Sequence, residues 1–280
     1  MSQIASICRA LDFVEANLRE EIAVADMADA AGYSLYHFCR MFNGLVHHTP
    51  YDYLMRRRLS ESARELVETD KRVIDIAFDY RFNSPETYSR AFKRMFGTQP
   101  SQWKEHGRLD RRFLMSQLTR EHLEHINEGD GLWPVLEERS AFRVVGVMTL
   151  VENGGEVIAR LWDVLAQELK DVEDAECYGI TWYPTGWEES GVFYMAGIEV
   201  EATDSASPAL VVKSIPPLKC ARFIHRGSRG DLQLTLDYVY QTWLPKSGER
   251  LSYPLEIVSY GTDMSAAWRN AELEVYIPIA

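Results

Sequence analysis

Along the first hundred residues apolar positions fall three and four apart, the spacing that lines one face of a helix. Ile22, Val24, Met27, Ala28 and Ala31 predict a short helix whose small residues permit close crossing by the next, and Gly32 suits a left-handed turn between them. Phe38 and Phe42 mark the inward face of that next helix. The pattern returns about 50 residues later: Tyr33–Phe42 lies over Asn83–Phe92, Pro50 over Pro100 and Tyr53 over Trp103. In the second copy Ile74 and Ala77 repeat the preceding helix, Tyr88 and Phe92 repeat the inward pair, and Ser34 and Ser84 stand where helix caps belong. Thr49-Pro50 and Gln99-Pro100 place proline in a first helical turn, so a long helix from Pro50 towards Thr69 joins two helix-turn-helix units rigidly. Recognition helices held about 34 Å apart would enter successive major grooves of a DNA duplex.

With Phe38, Met41 and Phe42 inward, Tyr36, Cys39 and Arg40 form the outward stripe of the first recognition helix. Arg40 is the leading base reader, since a guanidinium bonds guanine O6 and N7 together. The matching stripe of the second copy is Pro85, Glu86, Ser89 and Arg90, where Glu86 suits cytosine N4 and Arg90 suits phosphate. The runs Arg56–Arg58 and Lys93-Arg94 read either as backbone contacts or as solvated helix faces.

Beyond Arg108 the texture changes. Residues 109–134 read as a helical, charged linker that ends at Glu128-Gly-Asp-Gly131. From Phe142 short β-rich runs alternate with two helical stretches. Phe142–Val147, a helix near Glu156–Leu169, Tyr178–Tyr183 and Phe193–Val200 form one series; Lys219–His225, a helix near Leu232–Trp243, Leu255–Tyr260 and Glu272–Ile279 repeat it about 77 residues on. Two strand-helix-strand-strand copies predict one antiparallel sheet with both helices on one face, so the fold class is α+β behind an all-α domain. Most of the aromatics here, among them Trp162, Tyr238, Trp243 and Tyr260, are expected in the core. On the last strand Glu272, Glu274 and Tyr276 share one side and Leu273, Val275 and Ile277 the other. A carboxylate among rings suits a flat cationic ligand, whereas a bare edge strand would present the same pattern to water.

Composition sharpens this division. Of 280 residues 46% are hydrophobic, enough for two cores. Residues 1–112 hold 17 Lys and Arg against 16 Asp and Glu, leaving 13 against 26 for the remainder, which argues against a nucleic-acid surface in the second half. Cys8, Cys39, Cys177 and Cys220 have no zinc or redox spacing. No apolar run is long enough to span a bilayer, and the N-terminus has no signal-peptide pattern, so a soluble cytoplasmic chain without membrane contact is expected. There is no Ser/His/Asp order, metal spacing or phosphate loop: catalytic residues, metal and cofactor are expected to be none.

The runs Ala31–Phe42 and Phe82–Lys104 resemble the DNA-binding domain of AraC-type regulators over roughly Ile4–Arg108, with Arg81 standing where that family commonly has glycine. Arg143–Val147, Ile215–Gly227, Trp243–Gly248 and the closing Leu273–Ile279 resemble the GyrI-like effector-binding domain, over about Val135–Ala280. The first resemblance implies seven helices, promoter DNA as partner and RNA polymerase as a further one. The second implies a small-molecule effector, amphipathic aromatic or cationic, held by Glu274 with Trp182, Tyr183, Tyr194 and Tyr276 around it. Together they imply domains 1–108 and 135–280 and a ligand-responsive transcription regulator that is not an enzyme. A GyrI-like hydrolase using Glu274 as base, or a drug-sequestering protein, is the alternative. Oligomeric state, effector and regulatory sign stay open.

Overall fold

Seven helices follow one another in the order that the duplicated pattern predicts: α1 (Gln3–Ala16), α2 (Val24–Ala31), α3 (Leu35–Val46), α4 (Pro50–Glu68), α5 (Val73–Asp79), α6 (Pro85–Phe96) and α7 (Pro100–His106). They come from a computed structural model that describes residues 2–107, 110–129, 131–152, 155–169, 175–201, 209–262 and 271–280. The expected limit of the first domain at residues 108–109, and Asp130 in the expected linker turn, lie outside the described residues. Contacts divide the chain into two units, Met1–Gly131 with Leu234–Ser247, and Leu132–Gln233 with Gly248–Ala280.

In the first unit the repeat is visible in the packing. Phe38 and Phe42 are fully buried with ring centroids 5.3 Å apart, and Phe42 meets Tyr53 at 5.8 Å. Their counterparts Tyr88 and Phe92 lie 5.5 Å apart, and Phe92 meets Trp103 at 5.6 Å. Gly32 takes a left-handed φ of 76° between α2 and α3, as the tight turn requires. Ser84 Oγ accepts from the Thr87 N–H at 3.2 Å and caps α6. Ser34 occupies the same place before α3 but makes no side-chain cap bond, so the capping expected of it is corrected.

The expected helix over the linker is also corrected. One 3-10 turn (Arg111–Phe113) and α8 (Arg120–Ile126) are separated by non-helical chain. Leu114, Met115 and Leu118 are buried, and α4 takes up the N–H of two of them: Met115 donates to Ser60 Oγ at 2.9 Å and Leu118 to Tyr53 OH at 3.3 Å. Side-chain partners replace the helical ones that this stretch gives up.

The second unit is one eight-stranded antiparallel sheet of β1 (Val135–Arg139), β2 (Phe142–Val151), β3 (Cys177–Trp182), β4 (Val192–Glu199), β5 (Val211–Ile215), β6 (Leu218–Gly227), β7 (Leu255–Ser259) and β8 (Ala271–Ile279). The order is β1-β6-β8-β7-β3-β4-β2-β5. Exchanging the two copies reverses that order onto itself, so the repeat has a pseudo-twofold relation at the β3–β7 pair, where Ile180 faces Ile257. Six strands match the predicted series; β1 and β5 are added, each pairing with the other copy, β1 on β6 and β5 on β2. Helix α9 (Gly155–Glu168) covers β2 and β4, with Trp162 and Leu165 buried, and α10 (Trp187–Ser190) is a single turn between β3 and β4. The helix predicted in the second copy runs as α11 (Leu232–Tyr238), a wider π turn (Val239–Trp243) and α12 (Leu244–Ser247); from Leu234 onward it groups with the first unit.

Candidate nucleic-acid interface and ligand face

On α3 the buried Phe38, Phe42 and Val46 leave Tyr36, Arg40 and Asn43 on the exposed side, with Cys39 half-buried at its margin. Tyr36 is 82% exposed although aromatic, so no packing role accounts for it. On α6, Tyr88 and Phe92 are buried, Glu86, Arg90, Lys93 and Arg94 are exposed, and Pro85 and Ser89 are half-buried. A hydrogen bond with Ser84 holds the Glu86 carboxyl below its usual range and keeps it an acceptor at the start of the helix. The structure therefore brings Tyr36, Cys39 and Arg40 together on one helix, and Pro85, Glu86, Ser89 and Arg90 on the other.

Arg56–Arg58 serve neither reading given to them. Arg57 is buried, pairs with Glu15 (2.7 Å) and Glu61 (2.9 Å), and donates to the Met115 carbonyl. Arg58 is buried on the carbonyls of Leu18 (2.9 Å) and Glu20 (2.6 Å), and Arg56 pairs with Asp52 at 2.9 Å. Their guanidiniums are spent inside the unit, where a buried cation requires this many partners. Arg81, in place of the expected glycine, keeps a left-handed φ of 63° and donates to the Arg19 carbonyl at 2.5 Å. The turn before α6 is thus preserved without glycine.

In the second unit the ring-bearing residues divide between the two faces of the sheet. Tyr194 and Tyr260 lie under α9, where the Trp162 indole donates to Tyr194 OH at 3.1 Å and its ring meets Tyr260 at 4.9 Å. Tyr178, Ile180, Met195, Leu255, Ile257 and Tyr276 form a cluster on the other face, with Met148 and Trp182 packed against it. Glu274 and Tyr276 share that second face with Trp182, separated from it by β7. Tyr194 is not brought to them. Tyr183 stands just past β3, its ring 5.0 Å from Trp187.

Glu274 is not a free carboxylate. Arg222 pairs with it at 2.8 Å and with Glu137 at 2.9 Å, while Tyr276 OH donates to the other Glu274 oxygen. Burial, followed by that bond to Glu274, pushes the Tyr276 phenol well above its usual range. The water-facing edge-strand alternative for this strand is removed, because β8 pairs with β6 on one side and β7 on the other. Beside these groups stands a cation that the sequence reading missed. The Arg139 guanidinium lies over the rings of Tyr276 (4.2 Å), Phe142 (4.9 Å) and Tyr178 (5.4 Å) and donates to Tyr178 OH at 2.8 Å. Nothing local in the sequence marks it, since β1 finds its place by pairing with a strand of the other copy. Near the β4–β2–β5 end of the sheet a cavity of about 490 Å³ is lined by Met148, Thr149, Trp182, Phe193, Val211 and Lys213.

A family model for a GyrI-like small molecule binding domain matches residues 134–280, and one for a helix-turn-helix domain matches residues 27–106. The chain is an AraC-type regulator with a GyrI-like domain. Within that family, the chain is 35% identical over 102 residues to the HTH-type transcriptional activator AarP of Providencia stuartii, covering 36% of this chain and 76% of that protein. It is 38% identical over 104 residues to the right origin-binding protein of Escherichia coli, and this match covers 37% of this chain but 36% of that protein. Among solved structures it is similar to SAV2435 bound to tetraphenylphosphonium, at 16% identity and a TM-score of 0.43, over 52% of this chain and 93% of that one. Asn43, exposed three residues after Arg40, lies on the same side of α3 and was not singled out from the sequence.

Proposed function

We propose that this chain is a ligand-responsive, sequence-specific regulator of transcription, in which α3 and α6 read promoter DNA and the sheet face away from α9 takes an aromatic effector. The observation that carries the DNA half is the duplicated stripe. The two copies share an inward pattern and one exposed arginine, Arg40 and Arg90, and differ on either side of it, with Tyr36 and Asn43 exposed on one and Glu86 and Lys93 on the other. Two different outward sets suit two different groove segments read by one chain. RNA polymerase is the partner through which such binding would act.

For the effector, the support is chemical. Tyr276, Phe142 and Tyr178 already hold one cation, Arg139, against their faces, so an aromatic or amphipathic cation from solution would find the same attraction. Arg222 bridges Glu137 and Glu274, so a cationic ligand could take Glu274 while Arg222 keeps Glu137, an exchange that leaves the local charge balanced. On the same sheet face, the cavity walled by Trp182, Phe193 and Met148 offers apolar contact to an aromatic ligand. With both oxygens already bonded, Glu274 fits an anchor better than the general base of a hydrolase.

The test uses two probes. Arg40→Ala should weaken binding to a duplex that the protein itself selects from a randomised pool by about tenfold, and binding to random DNA by far less. Equal losses on both would remove Arg40 from base reading. Tetraphenylphosphonium should quench tryptophan fluorescence saturably, and Glu274→Gln should lower its affinity; unchanged affinity would remove Glu274 from the ligand site.

A further inference from the structure

The segment Leu234–Ser247 lies within the stretch matched by the GyrI-like family, yet its contacts place it in the unit that carries the recognition helices. Its polar side chains are committed there one after another. Thr235 Oγ1 meets His125 Nε2 at 2.7 Å, Asp237 meets His122 Nε2 at 3.3 Å, and Gln241 Oε1 accepts from the Ser116 N–H at 2.9 Å. Three further contacts converge on one point. Tyr238 OH meets His47 Nδ1 at 3.1 Å, Thr242 Oγ1 meets His48 Nε2 at 3.1 Å, and the Lys246 ammonium donates to the His47 carbonyl.

His47 and His48 are the junction between α3 and α4. His47 ends α3 in a left-handed conformation, φ 58°, which side-chain-bearing residues seldom take without support. The last carbonyls of a helix lack partners within it and carry partial negative charge, so an ammonium at the His47 carbonyl is well placed. Asn127, the residue after α8, donates to the neighbouring Leu45 carbonyl at 2.9 Å. His48 is buried between Thr242 on one ring nitrogen and Asp52 of α4, at 2.6 Å, on the other. The carboxylate can only accept, so Nδ1 carries the hydrogen and Nε2 accepts from the Thr242 hydroxyl. The segment widens to a π turn over Val239–Trp243, the stretch that supplies Gln241 and Thr242; such turns recur at functional sites.

We propose that Tyr238, Thr242 and Lys246 are positioning residues for DNA reading: they clamp the α3–α4 junction and thereby set the stance of Tyr36 and Arg40 on α3. Covalently, the segment continues at one end towards β6 and at the other towards β7, so it is the piece of the effector half that a shift of those strands pulls directly. Effector occupancy would then change DNA affinity by loosening or tightening this clamp. The inference rests on the proposed base reading by α3.

The experiment is a double-mutant cycle in the full chain, read as affinity for the self-selected duplex and for random DNA. Lys246→Met should weaken the selected duplex by about fivefold to tenfold and random DNA by less than about twofold, and Lys246→Arg should restore most of the loss. In the Arg40→Ala background Lys246→Met should cost little more, since the contact it positions has gone. Equal losses on both DNAs, or a full additional loss in the Arg40→Ala background, would overturn the positioning role while leaving base reading intact. Should Arg40→Ala itself spare the preference for the selected duplex, base reading by α3 falls, and the clamp's role in it falls too. Tyr238→Phe, which removes one hydroxyl and keeps the ring, repeats the test if Lys246→Met does not fold; its expected effect is smaller and of the same kind, and no preference lost with it would likewise overturn the proposal.

Discussion

Both units are built by duplication, but the two duplications close in opposite ways. In the first, each copy is a local helix-turn-helix with its own aromatic centre, Phe42 on Tyr53 and Phe92 on Trp103, joined by α4. In the second, each copy lends its first strand to the other, β1 to β6 and β5 to β2. Neither sheet half is complete alone. A locally closed repeat leaves its outward residues free to differ, and there Tyr36 and Asn43 give way to Glu86 and Lys93 while the arginine between them is kept. A strand-exchanged repeat ties its faces together, so a charge on one copy is answered by the other, as when Arg139 of β1 meets Tyr276 of β8.

The largest effects should test whether the two helical copies are equivalent. Phe42→Ala and Phe92→Ala each remove a fully buried ring at matching positions, and each should cost about 3–5 kcal/mol in denaturant unfolding. Losses that differ by more than the scatter between sites would show that one copy carries the unit. Arg57→Ala should cost about as much, because it leaves Glu15 and Glu61 partly buried without their cation. Its second readout separates it from a phosphate contact: the salt dependence of DNA binding by the folded variant should keep its slope, whereas loss of a phosphate contact would lower that slope by about one.

What could be read from the sequence follows the same contrast. The helical copies were legible because their signals are local: the four-residue spacing of Phe38 and Phe42, the proline at Pro50, the shift of 50 residues. Arg56–Arg58 were not, since a helix face shows its charge in sequence but not the acidic and carbonyl groups that α1 and the chain after it bring to it. In the sheet, strands β2, β3, β4, β6, β7 and β8 were legible as short β-rich runs, the last of them also by its alternation. β1 and β5 were missed because both are short edge strands whose pairing is entirely with the other copy. Tyr194 was grouped with Trp182 through the GyrI-like resemblance, and strand periodicity alone cannot say which face is covered by a helix. The fate of Leu234–Ser247 had no sequence signal at all, because its helical pattern fits either unit.

A pH titration probes the place where the helical repeat meets that segment. Burial lowers the His48 pKa from 6.5 to about 4, against the Asp52 hydrogen bond that raises it; Lys246 and Arg56 are the cations that face it. Between those two values the unfolded imidazole binds a proton that the folded one refuses. Stability should therefore be unaffected by this group above about pH 6.5 and fall by about 3 kcal/mol as the pH drops to about 4. Thermal unfolding followed across that window should show the loss, and His48→Gln should flatten it. An unchanged slope in His48→Gln would assign the acid sensitivity to other groups.

The smallest effect concerns the left-handed residue of each helix-turn-helix turn, Gly32 in the first and Arg81 in the second. Both are left-handed, φ 76° and 63°. Arginine at that angle costs about 1 kcal/mol that glycine does not. It gains a bond from Nε to the Arg19 carbonyl and a 3.3 Å pairing with Glu20, which ties the second turn to the chain between α1 and α2. Arg81→Gly gives up those bonds and the strain together, so its stability should stay within about 0.5 kcal/mol of the parent. Arg81→Ala gives up the bonds and keeps the strain, and should be about 1 kcal/mol less stable than Arg81→Gly. If the two variants are equally stable, the left-handed turn carries no strain there; if Arg81→Gly is clearly destabilised, the tie to the Arg19 carbonyl, rather than the turn, is what the second copy depends on.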